Sequence, residues 1–174
     1  ADDYDYSKIC AGVDKCVELI GGLKTIVKPG DKVFVKINHL SPASAPERGI
    51  VTHPIFVEAV LNLLKGVNAN ITVGDDIDSE AIDGFQVSGI SQTCHKAGVR
   101  LINLREAGFV ETKCTGLLLD KVYLSKITLD ADVIINLPKL KTHSLTVFTG
   151  GIKNMYGTVP KGHRTRFHYE YARN

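Results

Sequence analysis

The stretch Pro29-Gly30-Asp31-Lys32-Val33-Phe34-Val35-Lys36-Ile37 decides the fold class of this 174-residue sequence. Its first three residues are typical of a turn, and the β-branched and aromatic run over 33–37 predicts a short, mostly buried strand. Apolar residues recur at helical spacing on both sides, which predicts one helix over about 14–23 and another from Pro54 to about Gly66. A strand between two helices is typical of an α/β domain.

The rest of the chain continues this alternation of strands and helices. The further predicted elements are strands over 71–73, 99–104 and 132–136, a helix over 88–97 closed by Gly98, and a hairpin that pairs 109–110 with 122–124. The last strand, Asp132-Val133-Ile134-Ile135-Asn136, is apolar enough to be buried on both faces. The sequence therefore predicts a single α/β domain over 1–174, with a mainly parallel sheet, helices on both faces and a small β-hairpin insertion.

Composition and charge exclude several classes of protein. The hydrophobic residues, 44% of the chain, are spread along it without a long apolar run, so no membrane-spanning helix is expected. The net charge of +2 arises from charges of both signs that alternate along the chain, which argues against a nucleic-acid or membrane surface. The N-terminal stretch Ala1-Asp2-Asp3-Tyr4 has no signal-peptide pattern, so a cytoplasmic location is expected.

The cysteines do not form an iron–sulfur or zinc motif. They are Cys10, Cys16, Cys94 and Cys114, and none stands in a CxxC pair or in the clustered spacing of zinc ribbons and ferredoxins. Cys94 lies on a helical apolar stripe and Cys16 near another, which favours buried free thiols in a reducing compartment.

Polar residues follow each predicted strand of the parallel sheet. They are Asn38-His39, Gly74-Asp75-Asp76, Asn103 to Arg105, and Asn136 onward. Ligands of open α/β sheets bind beyond the carboxyl ends of the strands, so these residues are candidates for a site. The alternative is that strand ends are polar because loops are solvated.

The segment after the last strand carries the strongest chemical signal. Lys139, Lys141 and His143 follow that strand directly, so several donors are aimed at one spot. The next segment, Thr149-Gly150-Gly151-Ile152-Lys153-Asn154, offers glycine N–H groups that can approach an anion closely, followed by a lysine. The spacing of neither a Walker loop nor a dinucleotide fingerprint is present. We expect an anion or phosphate cradle, the alternative being a helix start with a solvated lysine.

The histidines and the acidic pair allow more than one role. The lysines before His143 should lower its pKa and keep the imidazole neutral, as a base or metal ligand, unless it is a hydrogen-bonded structural histidine. His53 is expected to begin a helix. Asp75 and Asp76 could bind a cation or act as a base, or they could be turn and cap residues. His163 and His168 lie in a basic, aromatic tail that is expected to be a truncated or surface segment.

Five segments together resemble the bacterial and archaeal family catalogued as domain of unknown function 362. They are Lys28-Pro-Gly-Asp-Lys-Val-Phe-Val-Lys-Ile-Asn38, Thr52-His-Pro54, Val73-Gly-Asp-Asp76, Asn136-Leu-Pro-Lys-Leu-Lys-Thr-His143 and Thr149-Gly-Gly-Ile-Lys-Asn-Met-Tyr-Gly157. The resemblance implies association with a ferredoxin-type iron–sulfur domain. Members of that family begin one strand before the position of Asp2 and continue beyond Asn174, so the resemblance also implies a fragment of a longer protein.

A second pattern is similar to the nickel-pincer lactate racemase family. It consists of His143, then Lys153 after Gly150-Gly151, with Pro160 and Gly162 downstream. This resemblance implies that His143 acts in acid/base chemistry and that Lys153 anchors a nickel-type cofactor. The residues taken by themselves identify neither a cofactor nor a metal, so the nickel-type cofactor enters as an alternative.

Two hypotheses follow. The leading one is a cofactor- or anion-binding enzyme domain, with acid/base chemistry on a small carboxylate or redox chemistry with an iron–sulfur partner. His143 and Asp75 would be catalytic, and the ligand would be held by Lys36, Asn38, Lys139, Lys141, Thr149, Gly150, Gly151, Lys153 and Asn154. The rival is a non-catalytic scaffold or docking module for a ferredoxin-type domain. Whether a reaction takes place, and on which substrate, is left open by the sequence.

Overall fold

The computed structural model describes residues 4–39, 44–77, 83–117, 119–144 and 146–170. The helices of these residues are α1 (Tyr6–Leu19), α2 (Leu23–Ile26), α3 (Pro54–Lys65), α4 (Gly84–Val87), α5 (Ile90–Ala97), α6 (Leu104–Ala107), α7 (Lys126–Asp130), α8 (Gly151–Met155) and α9 (Lys161–Glu170). The strands are β1 (Lys32–Ile37), β2 (Asn70–Asp75), β3 (Arg100–Asn103), β4 (Phe109–Lys113), β5 (Lys121–Ser125), β6 (Val133–Leu137), β7 (Lys141–His143) and β8 (Val147–Thr149).

The centre of the fold is a four-stranded parallel sheet in the order β3-β2-β1-β6. Lys36 of β1 stands opposite Gly74 of β2 on one side and Asn136 of β6 on the other. The expected hairpin is confirmed as the antiparallel pair β4–β5, and a second antiparallel pair, β7–β8, was not predicted. The mainly parallel α/β sheet expected from the sequence is confirmed, whereas the expectation of a single domain stays a prediction.

Alternating residues of β1 pack into two separate cores, one on each face of the sheet. Val33, Val35 and Ile37 belong to the larger core, which also contains the apolar stripes of α3 and α5. Phe34 points to the other face, where it packs with Ile102 and Leu104 beneath α6 and α7. Helices therefore cover both faces, as expected. Lys36 lies two residues from Phe34 and so shares its face, where the core is replaced by polar groups.

The prediction that the last strand is buried on both faces is wrong. β6 pairs with β1 and, among the described residues, stands at the edge of the sheet. Ile134 is 36% exposed, and Leu137 is the residue of β6 that is buried. An apolar run shows that a strand is present, but it does not reveal the position of that strand within the sheet.

Several element boundaries differ from those predicted. α1 begins at Tyr6 because Asp5 caps it, with its carboxylate accepting from the Lys8 N–H at 2.9 Å. The helix predicted over 88–97 is α5, which begins at Ile90 after the separate turn α4. The third strand ends at Asn103, since the side chain of that residue caps α6. Cys16 on α1 is exposed, contrary to expectation, whereas Cys94 is buried.

The described residues include part of the segment that precedes α3. Two prolines, small residues and charged residues in this segment predict a long surface loop over 41–49. Residues 41–43 of it lie outside the described ranges, and Pro46–Arg48 form a 3-10 turn. Within the part of the chain that the structure describes, no helix combines the length and the apolar character needed to cross a membrane.

Candidate functional site

A cavity of about 360 Å³ lies beyond the carboxyl ends of β1 and β2. Its walls also come from the β7–β8 hairpin, α8 and α9. The predicted site residues that line it are Lys36, Asn38, Asp75, Lys141, His143, Thr149, Lys153 and Asn154. Most of the predicted site is therefore brought together in one place, although the residues come from distant parts of the sequence.

The strand order explains why the cavity forms at this place. From β1 the chain adds β2 and then β3 on one side, and it later returns to place β6 on the opposite side of β1. At this reversal the chain after β1 leads to α3, whereas the chain after β6 leads through the β7–β8 hairpin to α8, and residues of the hairpin and of α8 line the cavity. Such a reversal of strand order is the usual location of ligand sites in open α/β sheets.

A buried ion pair forms the floor of the cavity. The Nζ of Lys36 lies 2.7 Å from Oδ1 of Asp75 and donates to the Ile37 carbonyl at 2.7 Å. Burial lowers the pKa of Lys36, and the Asp75 carboxylate opposes that shift. Asp75 also accepts from the backbone N–H groups of His39 and Asp76. Both carboxylate oxygens are therefore engaged with groups of the protein.

Gly157 covers this ion pair. A Cβ atom at position 157 would lie 2.5 Å from Oδ1 of Asp75 and 2.8 Å from Nζ of Lys36, distances too short for any side chain. Glycine is required here because the turn after α8 approaches the pair so closely.

A second carboxylate joins two arginines. Oδ1 of Asp76 lies 2.5 Å from Nε of Arg105, and Oδ2 lies 2.5 Å from Nη2 of Arg164. Arg105 belongs to α6 beside the sheet and Arg164 to α9, so one acidic side chain ties the last helix to the strand ends. The Asp76 side chain has no exposed surface, and each of its oxygens is used by one guanidinium.

Two buried polar oxygens of the cavity lack a partner among the described residues. They are Oδ1 of Asn38 and Oγ1 of Thr149. These residues are 8% and 4% exposed, respectively, and both line the cavity. Buried polar groups are satisfied in nearly all proteins, so two such oxygens in one cavity indicate a place where a ligand or water supplies the missing hydrogen bonds.

The upper part of the cavity holds lysines and histidines close to one another. Burial lowers the pKa of Lys141 to about 8, with Lys153 contributing to the same effect. Burial also lowers the pKa of His143, followed by the charges of Lys153, His168 and Lys141. Nδ1 of His143 accepts from the Thr146 N–H at 3.3 Å, and its ring centroid lies 6.5 Å from that of His168. The expected lowering of the His143 pKa is confirmed in direction.

Hydrogen bonds of Asn136 and Asn154 connect β6 with α8 beside the cavity. The Asn154 amide donates to the Asn136 side-chain oxygen at 2.7 Å and more weakly to the Lys36 carbonyl at 3.4 Å. The Asn136 amide donates in turn to the Gly151 carbonyl at 2.8 Å. These bonds hold α8, and with it Lys153, against the sheet.

Three of the predicted ligand-binding residues lie elsewhere. The Nζ of Lys139 donates to the Tyr4 hydroxyl at 2.7 Å, and the Tyr4 ring stacks on His53 at 3.6 Å. His53 caps α3, as expected. Gly150 and Gly151 border an adjacent apolar groove that is lined mainly by Phe148 and Ile152. A Cβ at position 150 would lie 2.8 Å from the Phe148 ring, which gives Gly150 a packing role.

The largest group of cavity-lining residues that was not predicted from the sequence lies in the tail around His163. The tail forms α9, which has no buried residue and so agrees with the expected surface segment, although one side of the helix lines the cavity. The residues of α9 that line the cavity are Lys161, Arg164, Thr165 and His168. Their spacing of three, four and seven positions is that of one helical face, which is the signal that could have identified them. His39, Asp76, Arg105, Tyr156 and Gly157 complete the described lining.

The described residues contain no group of three or more His, Cys, Asp or Glu side chains arranged to hold a metal ion.

Of the strand-end residues singled out in the sequence, Asn103 has a structural role. Its amide donates to the Ile77 carbonyl at 2.9 Å, and its side-chain oxygen accepts from the Ile77 N–H at 3.3 Å. Arg105 and Asp76, in contrast, both line the cavity.

Comparison with known proteins gives a family but no activity. Residues 33–174 match the sequence model of a family described as domain of unknown function (DUF362). The chain is also similar to the thylakoid-associated protein sll1697 of Synechocystis sp., with 29% identity over 175 residues, covering 100% of this chain and 53% of that protein. The chain thus spans about half the length of this relative. No solved structure matches it.

Proposed function

This chain belongs to the domain of unknown function 362 family, and on the cavity described above we propose that it binds a small anionic ligand there and exchanges a proton with it through the His143 imidazole. The ligand class is a small oxyanion such as a carboxylate. The observation that carries the proposal is the charge of the lining. Among the described lining residues, the cationic side chains are Lys36, Arg105, Lys141, Lys153, Lys161 and Arg164, and the carboxylates are those of Asp75 and Asp76.

Lys153 is the residue best placed to meet the anion. It lines the cavity and has no hydrogen-bond or ion-pair partner among the residues that the structure describes. Burial and the nearby Arg164 lower its pKa. A half-buried ammonium among like charges is stabilised when an anion binds, since the anion supplies the opposite charge that the protein lacks there.

His143 is suited to proton exchange because its lowered pKa favours the neutral imidazole near pH 7. Asp75 was the other catalytic candidate. Its two oxygens already bind Lys36 and two backbone N–H groups, so we assign it to holding Lys36 in place and not to proton transfer.

The test combines ligand-induced thermal stabilisation with proton exchange. Small carboxylates should raise the Tm of the protein, and in D₂O the protein should introduce deuterium at a carbon of one of them, as detected by NMR. Lys153→Gln should lose both effects. His143→Gln should lose exchange while keeping most of the stabilisation, because the imidazole is assigned to proton transfer and the lysines to binding.

Lys24→Gln is the matched control, since Lys24 is an exposed lysine of α2 outside the cavity. It should keep both effects. If Lys153→Gln and Lys24→Gln are stabilised by anions to the same extent as the unaltered protein, the cavity is not the binding site.

A docking module for a ferredoxin-type iron–sulfur domain is the second candidate function. The apolar groove beside the cavity favours it, because Phe148 and Ile152 are 57% and 95% exposed. Large exposed apolar side chains that border one groove are typical of protein-interaction surfaces. In this case Ile152→Ser should weaken binding of the partner. Anions should raise the Tm of neither the unaltered protein nor Lys153→Gln, because no anion site would exist.

The nickel-type alternative uses the same residues in other roles. Lys153 would anchor the cofactor, which would supply the metal-centred chemistry, and His143 would exchange a proton. The Lys153 amine, which has no partner among the described residues, and its position near His143 are compatible with these roles. Intact mass analysis of protein purified anaerobically from its own host tests the idea, because an adduct on Lys153 is required.

The cytoplasmic location expected from the sequence stays a prediction. The alternative is an association with thylakoids, as the name of the Synechocystis relative states for that protein. Fractionation of the native host, followed by detection of the protein in soluble and membrane fractions, distinguishes the two locations.

A further inference from the structure

We propose that Lys153 is a nucleophile that forms an imine with the carbonyl group of an oxo carboxylic acid, and that His143 exchanges a proton at the carbon beside this imine. The inference deepens the proposed function and rests on it. The C–H groups of a plain carboxylate are too weakly acidic for an imidazole to take their protons. Proton exchange at carbon therefore needs a group that accepts the electron pair of the C–H bond, and a lysine imine is such a group.

The Lys153 side chain lies between the charged cavity and the apolar groove, since it lines both. The groove places Phe148 and Ile152 on one side of it. Lys153 is half-buried, and no hydrogen bond or ion pair holds its Nζ among the described residues. Once deprotonated, an amine in this position can present its lone pair to a carbonyl carbon.

Positive neighbours in the same cavity favour the neutral form of this amine. Burial lowers the pKa of Lys153 most, and the charge of Arg164 lowers it further. Arg164 is held by Asp76, and the Lys141 amine donates to the Ile50 carbonyl, so both of these cations have fixed partners. Lys153 is the one of the three without such a partner among the described residues. A lysine in a partly apolar place beside another cation is activated for imine formation.

The amine and the imidazole are carried by consecutive elements of the chain. His143 belongs to β7, and its hairpin partner β8 leads directly into α8, which carries Lys153. The Lys153 charge is the largest cause after burial of the lowered His143 pKa, because the two side chains lie close together. The hydrogen bonds of Asn136 to the Gly151 carbonyl and of Asn154 to Asn136 fix the backbone of α8. A nucleophile and a base thus face one cavity from a rigid wall.

The reaction needs no oxidant or reductant. The neutral Lys153 amine adds to the carbonyl carbon and passes one proton to the carbonyl oxygen. A proton from solvent then converts that hydroxyl group into water, which leaves as the nitrogen lone pair forms the C=N bond of an iminium ion. His143 takes a proton from the adjacent carbon, the C–H electron pair forms a C=C bond, and the C=N pair returns to nitrogen. Reversal delivers a solvent proton to that carbon, and hydrolysis releases the oxo acid.

The experiment is reductive trapping with pyruvate and sodium cyanoborohydride, whose hydride adds to the iminium carbon and makes the bond permanent. Intact mass should show one reduced pyruvate group, and peptide mapping should locate it on Lys153. Propionate, which has no carbonyl group, should give no adduct. Acetone, which has no carboxylate to hold it in the cavity, should react at least about tenfold more slowly than pyruvate.

Variants separate imine formation from anion binding. Lys153→Arg keeps the positive charge but has no amine, so it should lose the adduct while pyruvate still raises its Tm. It should also lose deuterium exchange at the pyruvate methyl group in D₂O. His143→Gln should keep the adduct and lose the exchange. Lys24→Arg is the matched control on an exposed lysine outside the cavity and should leave the adduct, the exchange and the rise in Tm unchanged.

The outcomes distinguish this inference from the proposed function. An adduct spread over exposed lysines such as Lys24, without preference for Lys153, would overturn the inference. Deuterium exchange that persists in Lys153→Arg would do the same. If pyruvate and propionate raise the Tm but no adduct forms on Lys153, the inference is wrong while anion binding in the cavity stands. If no carboxylate raises the Tm, with or without a carbonyl group, the proposed function fails as well.

Discussion

Lys36 and Asp75 form an ion pair at the carboxyl ends of adjacent strands, with Nζ and Oδ1 2.7 Å apart and side chains that are 0% and 4% exposed. The pair lies where Phe34, two residues earlier, still packs in an apolar core. It therefore marks the boundary between the part of the sheet that stabilises the fold and the part that forms the cavity. The contribution of this ion pair should be measurable as a change in the free energy of unfolding.

Removing the carboxylate of this pair should be costly. Asp75→Asn leaves the buried Lys36 ammonium without its counter-charge, and we expect the free energy of unfolding to fall by about 3–5 kcal/mol, as measured by chemical denaturation. Asp75→Asn combined with Lys36→Met should recover much of the loss, because no unpaired charge remains. A loss below about 1 kcal/mol for the single variant would show that Lys36 is held neutral or solvated.

Gly157→Ala should destabilise the protein by about 1–3 kcal/mol, since the added methyl group would collide with Asp75 and Lys36. Gly162→Ala on α9 is the matched control. No atom lies within 4 Å of a Cβ at position 162, and alanine favours helix, so stability should be unchanged or slightly higher. Equal effects of the two substitutions on Tm would contradict the close approach at Gly157.

Arg164→Gln should loosen α9, because the Arg164–Asp76 ion pair ties that helix to the sheet. We expect amide hydrogen exchange over 161–170 to accelerate on the order of tenfold, while exchange in β1 stays slow. Arg166→Gln on the same helix is the control, since Arg166 pairs with Glu170 of α9 itself. Unchanged protection of α9 in Arg164→Gln would mean that other contacts hold the helix.

On the proposed function, the affinity for a small carboxylate such as succinate should fall as the pH rises through about 8. The sign follows from Lys141, which carries its positive charge below its pKa of about 8 and loses it above that value. In Lys141→Arg the side chain stays protonated, so the decrease in affinity near pH 8 should disappear. Dissociation constants measured by calorimetry between pH 6.5 and 9.5 check this, and a flat profile for the unaltered protein would contradict it.

The parallel sheet and most of the candidate site could be predicted because both follow from strand identity. Once β1 and β2 are recognised, the residues at their carboxyl ends must converge, and Lys36, Asn38 and Asp75 do so. The alternation of β7 then places Lys141 and His143, two residues apart, on one side. Lys139 precedes that strand and lies instead beside Tyr4.

The rest could not be predicted for two physical reasons. Helices are recognised by an apolar stripe, but the inner face of α9 is polar because it faces a charged cavity, so apolar periodicity did not reveal it. The second reason is that a glycine in the sequence can indicate either a backbone contact to a ligand or a place of close packing. Gly150, interpreted as an anion contact, lies against the Phe148 ring, and Gly157, which was given no role, covers the buried ion pair.

The reversal of strand order at β1 has a consequence for when the cavity is completed during folding. The cavity draws its walls from residues as far apart as Lys36 and His168, so it is closed only when the final helix docks onto a finished sheet. An intermediate that has formed the sheet but not placed α9 lacks one entire wall. An anion that binds in this cavity would therefore bind the fully folded chain in preference to such an intermediate, and would stabilise it against unfolding.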